Sequence, residues 1–127
     1  MLTKPTSAYV HIPFCAKKCY YCDFISYENK QEIINKYIQS VQTEIKTVAE
    51  GIEGNYLVDT IYIGGGTPSF IDSNHIINII NTIKQNYNVI PNAEITIEIN
   101  PGTATREKLE DYKRSGINRI SIGLQST

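Results

Sequence analysis

An α/β fold, parallel strands alternating with helices, is what this 127-residue sequence predicts, and three observations predict it. Two long segments repeat apolar residues at the three-and-four spacing of a helix face. Four short β-branched runs alternate apolar with polar or small residues at period two. Glycine, proline and asparagine clusters punctuate the chain between them. The order strand, helix, strand, helix, strand, helix, strand demands crossover connections and therefore a parallel sheet.

The elements follow in order. After a polar leader, Ala8 to Pro13 reads as a strand. Ile33, Ile34, Tyr37, Ile38, Val41, Ile45 and Val48 form one helix face, with Asn29, three before Glu32, as a capping-box-like start and "EGIEGN" as the end near Gly51 to Asn55. "DTIYIGGG" is the second strand. Ile76, Ile77, Ile80, Ile83 and Tyr87 share a face of the second helix, capped by Asp72 or Ser73. "EITIEI" is the third strand and "NPGTAT" its exit loop. The third helix runs from about Thr105 to Ser115, with Gly116 where a left-handed C-cap is expected, and "RISIGLQ" is the fourth strand.

Strand parity carries the reading toward function. Val10 and Ile12 oppose Tyr9 and His11; Ile61 and Ile63 oppose Tyr62 and Gly64; Ile95, Ile97 and Ile99 oppose Thr96 and Glu98; Ile120, Ile122 and Leu124 oppose Ser121, Gly123 and Gln125. Strands covered by helices on both faces read as near-continuous apolar runs, and these do not. One face suits packing under helices, and the other suits the lumen of a barrel or partial barrel that holds a polar ligand, with its chemistry at the C-terminal strand ends. The cysteine loop, "GGGTP", "EINP" and "GLQ" all fall at those ends. The alternation stops after its fourth strand, with Gln125-Ser126-Thr127 reading as a loop toward another helix, so residues 1–127 are expected to be the N-terminal portion of a longer domain. An independent small α/β domain is the alternative.

Composition excludes some partners. Lys+Arg number 12 against 13 Asp+Glu, which advertises neither a nucleic-acid surface nor an acidic membrane surface. No apolar run approaches the roughly 20 residues of a transmembrane span, and "MLTKPTSAYV" lacks a signal-peptide core, so a cytoplasmic location is expected. Oligomeric state is not legible.

Cys15, Cys19 and Cys22 are all the cysteines of the chain and have the spacing C-x3-C-x2-C. An odd number packed this closely is a poor disulfide framework. Three thiolates on one loop can hold three irons of a cubane cluster and leave a fourth iron open. His11 with the three cysteines could instead form a zinc tetrahedron, giving a zinc-stabilised structural module. A Cys19–Cys22 redox pair would leave Cys15 unexplained.

The aromatic Tyr21 before the last cysteine makes the motif similar to that of the radical S-adenosylmethionine (SAM) superfamily. "AYVHIPFCAKKCYYCDF", "IYIGGGTPS", "EINPGT" and "RISIGLQS", in this order, together resemble the oxygen-independent coproporphyrinogen III oxidase-like family, in its HemW-type haem chaperone division. The resemblance implies the N-terminal part of a partial (β/α) barrel of the radical SAM type. It implies a 4Fe-4S cluster on Cys15, Cys19 and Cys22, whose fourth iron is chelated by the methionyl amine and carboxylate of SAM and whose electron cleaves the sulfonium. It also implies SAM contacts at Tyr9, at the backbone of Tyr21, at Gly65, Gly66 and Thr67, at Glu98 and at Gln125. Glycine suits this role because backbone can approach the ligand closely, its amides and carbonyls meeting a carboxylate and an ammonium. Parity independently puts Glu98 and Gln125 on the lumen face.

The oxidases of this family resemble C-x3-C-x2-C-x-C, whereas Phe24 stands here two after the last ligand. That departure favours a haem chaperone over a radical SAM oxidoreductase acting on coproporphyrinogen III, and leaves open whether the protein is an enzyme. Haem or a porphyrinogen would be handled by regions beyond Thr127.

Overall fold

The computed structural model describes residues 4–14, 27–51 and 56–122. Four strands and three helices alternate along them: β1 (Lys4–Ile12), α1 (Tyr27–Gly51), β2 (Tyr56–Gly65), α2 (Ser73–Asn86), β3 (Asn88–Ile99), α3 (Arg106–Ser115) and β4 (Arg119–Ile122), with a 3-10 turn at Pro68–Phe70. The strands pair in parallel in the order β1-β2-β3-β4. The expected α/β architecture is therefore the one the chain adopts.

Strand alternation decides which face is buried. Val10, Ile12, Ile61, Ile63, Ile95, Ile97 and Ile99 are buried, together with Ile34, Ile38, Ile76, Ile79, Ile80 and Ile83 from α1 and α2. Each such side chain contributes roughly 2 kcal/mol through burial. An exposed ion pair such as Arg106–Glu110 on α3 contributes well under about 1 kcal/mol, so this apolar layer dominates the stability. Val58 is buried on the same face as Ile61 although they stand three positions apart, an odd offset. The register skips Asp59 against both neighbouring strands, and that bulge resets the period.

Several boundaries differ from the sequence expectation. β1 begins four residues earlier and stops before Pro13, because Lys4, Pro5 and Thr6 pair with Tyr56, Leu57 and Val58, a contact made across the chain rather than by local propensity. β2 accordingly begins at Tyr56. β3 begins at Asn88, six residues before the alternation of "EITIEI" is visible. Pro91, which has no N–H to donate, lies in the stretch between Val89 and Glu94 where ladder pairing with β2 is interrupted. Helix α1 already includes Asn29, so that residue is not its cap. Asp72 stands at the N-cap of α2 without a side-chain cap bond; its carbonyl accepts from His75 N at 3.1 Å, while Ser73 Oγ donates to Asp111 at 2.6 Å. Tyr87 lies just beyond α2, at its C-cap.

Helix α3 has the expected ends: Thr105 Oγ1 accepts from Lys108 N at 3.1 Å, and Gly116 is left-handed at φ 107°. Isoleucines 120 and 122 of β4 lie in register with Ile97 and Ile99 but are 43% and 57% exposed, so among the described residues the apolar face of β4 has no helix over it. No helix among the described residues is long and apolar enough to cross a membrane.

The Tyr112 hydroxyl of α3 is buried with no hydrogen-bond partner, and burial, aided by Asp111, pushes its pKa up to about 12. A folded-state pKa raised above the unfolded value of about 10 means that the native state keeps its proton after the unfolded chain has released its own. This contribution is complete below about pH 10 and is lost as pH rises from there through about 12. Tyr112→Phe is expected to raise stability by about 1 kcal/mol at pH 7, since it removes an unsatisfied polar group. It should also flatten the alkaline fall in stability; urea denaturation of both proteins between pH 8 and 11 checks this.

Candidate functional site

The C-terminal ends of β1, β2 and β3 meet at the glycine segment. Gly65 closes β2 with φ 121°, a conformation that glycine tolerates and side chains rarely adopt. Two bonds then tie the segment to the strand that leads into the cysteines: Gly66 N donates to Ile12 O at 2.8 Å and Thr67 N to Phe14 O at 2.7 Å. The residue immediately before Cys15 is thus held by the loop after β2. Phe14 also packs edge-on against Tyr37 of α1, with ring centroids 5.4 Å apart at 89°.

The exit of β3 is joined to the same region through Ser69, which is fully buried. Asn100 N donates to Ser69 Oγ at 3.0 Å, and Ser69 Oγ shares a 2.6 Å bond with Thr103 Oγ1. Lys108 Nζ donates to Ser69 O at 2.6 Å, and burial lowers the pKa of this ammonium group, with Asp72 opposing the shift. Asn100 Oδ1 accepts from Gly102 N at 2.8 Å, so the expected turn at Asn100-Pro101 fixes the chain directly after Glu98.

Glu98 lies at the mouth of this assembly. Its Oε1 accepts from Gly65 N at 2.9 Å and its Oε2 from the Tyr62 hydroxyl at 2.9 Å. The bond to Glu98 holds the Tyr62 phenol above its ordinary pKa, with Ser121 acting in the opposite direction. The Tyr62 ring stacks on Tyr9, its register partner, with centroids 5.8 Å apart and planes at 13°. Tyr9 is 60% exposed, and its hydroxyl stands 3.5 Å from His11 Nδ1.

Beside Glu98 a cavity of about 90 Å³ is bounded by Gly65, Gly66, Thr67, Pro68, Ile99 and Asn100. That is room for about three water molecules, or for one polar end of a larger ligand. An acceptor-rich wall of this kind fits a cationic or hydroxyl-bearing group. The three amides of Gly65, Gly66 and Thr67 are all committed within the chain, which differs from the sequence expectation that they face a ligand. Thr67 O accepts from Phe70 N at 2.9 Å, and the Glu98 carboxylate on the cavity wall offers its remaining lone pairs to such a group, an arrangement suited to an ammonium. The cavity and its carboxylate wall therefore fit the ammonium end of SAM.

Of the site residues expected from the sequence, the structure brings Gly65, Gly66, Thr67 and Glu98 around one cavity and sets Tyr9 on the same sheet face, in contact with Tyr62. Cys15, Cys19, Cys22, Tyr21 and Gln125 lie outside the described residues. Among the described residues no three His, Cys, Asp or Glu side chains form a metal-binding group. Tyr62 and Gly64 were not singled out from sequence. The available signals were parity, which places Tyr62 on the Glu98 face, and the first position of the glycine triplet.

Comparison with known proteins gives the family of the chain. The chain is 46% identical over 123 residues to the haem chaperone HemW of Buchnera aphidicola subsp. Acyrthosiphon pisum, covering 96% of this chain and 32% of that protein. It is 41% identical to haem chaperone HemW of Escherichia coli, with the same coverages. The solved structure of coproporphyrinogen III oxidase (HemN) from Escherichia coli, described as a radical SAM enzyme, superposes with a TM-score of 0.80 at 32% identity, over 96% of this chain and 28% of that one. The chain thus spans about a third of the length of the curated relatives it matches. Residues 9–127, from the stacked Tyr9 through the glycine segment and Glu98 to the end of the chain, match the radical SAM superfamily, and the chain belongs to it.

Proposed function

We propose that residues 1–127 are the N-terminal portion of a radical SAM core whose Cys15, Cys19 and Cys22 hold a 4Fe-4S cluster, in a haem chaperone of the HemW type. The observation that carries the reading is the Glu98 carboxylate, fixed by Gly65 N–H and Tyr62 O–H on the wall of a small polar cavity formed by the "GGGTP" segment. Cluster and SAM, when bound, supply one-electron reductive cleavage of the sulfonium. The chain's own residues position: Gly66 and Thr67 anchor the entry to the cysteine loop, Glu98 accepts from a donor on SAM, and Tyr9 offers its exposed ring and hydroxyl. Tyr21 and Gln125 complete the SAM contacts in this reading. Three thiols clustered for metal suit a reducing cytoplasm. Haem would be held by parts of the longer protein.

Anaerobic reconstitution of the full-length protein tests this. Iron and acid-labile sulfide are expected in equal amounts, with SAM altering the electron paramagnetic resonance signal of the reduced cluster, and Cys15→Ala, Cys19→Ala and Cys22→Ala should each abolish both. Uptake of zinc without iron would refute the reading. The fold of the solved oxidase favours one second reading, turnover on coproporphyrinogen III. Release of 5′-deoxyadenosine that depends on that substrate would support the oxidase, and haem binding without such release would support the chaperone.

A further inference from the structure

We propose that Tyr62 is a positioning residue for SAM, holding Glu98 and Tyr9 in the places from which they meet the cofactor. The inference rests on the reading of the site given above and adds a residue to it.

Four geometric facts carry it. The Tyr62 hydroxyl donates to Glu98 Oε2 at 2.9 Å, while the other oxygen is held by Gly65 N, so both carboxylate oxygens are fixed by donors from β2. Thr96, not Glu98, is the register partner of Tyr62, so the phenol must reach diagonally along the sheet. The space it crosses is left by Gly64, where a Cβ would stand 2.8 Å from Tyr62 Cε1 and 2.5 Å from Glu98 Oε1. On its other side the ring stacks on Tyr9 at 5.8 Å. One side chain therefore links the first strand to the third across the lumen face.

A carboxylate on the wall of an open cavity has two torsions free to carry it into solvent, and each has to be frozen when ligand arrives. A hydrogen bond to each oxygen freezes them beforehand and aims the remaining lone pairs at the cavity. The Tyr9 ring, itself largely exposed, gains a parallel surface that restricts it in the same way. Tyr62 has no need to touch SAM for this.

The test is SAM affinity, measured by calorimetry on the full-length, cluster-reconstituted protein, for wild type, Tyr62→Phe, Tyr62→Leu, Glu98→Ala and Tyr62→Phe/Glu98→Ala. Tyr62→Phe keeps the stack and loses the donor; it is expected to weaken SAM binding about threefold to tenfold, with an unchanged thermal midpoint. Tyr62→Leu loses both contacts and should bind more weakly still. In the Glu98→Ala background Tyr62→Phe should have no further effect, because the group it positions is gone. Equal affinity of Tyr62→Phe and wild type would overturn the inference, as would an undiminished effect in the Glu98→Ala background. A wild-type protein that carries its cluster but binds no SAM would instead sink the reading of the site itself, and this inference with it.

Discussion

Gly65→Ala is expected to lower stability by about 3 kcal/mol or more. The backbone at φ 121° is strained for any side chain, and the new Cβ would stand 2.5 Å from Ile12 O and 2.8 Å from Ile12 N. Those are main-chain atoms of a buried residue, so relief requires β1 and β2 to move apart. Ile12 O is also the acceptor for Gly66 N, and displacing it loosens the tie that leads to Phe14 and the cysteine loop. Urea denaturation monitored by circular dichroism should show the midpoint fall. A loss below about 1 kcal/mol would mean that the strand ends relax more freely than their hydrogen bonds imply.

The neighbouring glycine should behave differently. Gly64→Ala also introduces a clash, 2.5 Å from Glu98 Oε1 and 2.8 Å from Tyr62 Cε1, but the atoms met are the ends of side chains on the lumen face, and the backbone there is not left-handed. Those side chains can swing away, so the stability cost is expected to stay within about 1 kcal/mol. The site cannot absorb the change so easily: displacing Glu98 breaks its bonds to Gly65 and Tyr62. SAM affinity of the reconstituted full-length protein should fall tenfold or more, since two charge-assisted bonds of about 1.5–3 kcal/mol each in favourable settings are disturbed together. Retained affinity would show that the carboxylate is not used. Two adjacent glycines thus answer to different demands, one to the backbone and one to the ligand face.

Much of this was legible because it is local. Alternation at Ile95, Ile97 and Ile99 fixes the faces of β3, and the Gly116 stop fixes the end of α3. The start of β1 was not legible, because Lys4 and Pro5 have little strand character and the segment pairs with Tyr56 to Val58, far along the chain. The bulge at Asp59 and the interrupted ladder around Pro91 are likewise products of register between strands distant in sequence. The site shows the same division. Parity places Glu98 on the lumen face, but which residue reaches it depends on the offset between β2 and β3, which no single strand specifies. That is why Tyr62, two positions out of register with Glu98, came into view only in three dimensions. It is also why the amides of the glycine segment, which look free in the sequence, prove to be committed to β1 and Glu98.

The Tyr37 hydroxyl of α1 donates to His11 O at 2.5 Å. Ile12 O points inward to Gly66, so in an extended strand the preceding carbonyl points the opposite way, off the outer margin of the sheet. An outer row of free carbonyls and amides is a template on which a foreign strand can grow. By occupying one of those acceptors beside the cysteine loop, Tyr37 interrupts the template at its most sensitive point. A stray chain would have to displace a helix side chain before it could add a strand there, just ahead of the cysteine loop.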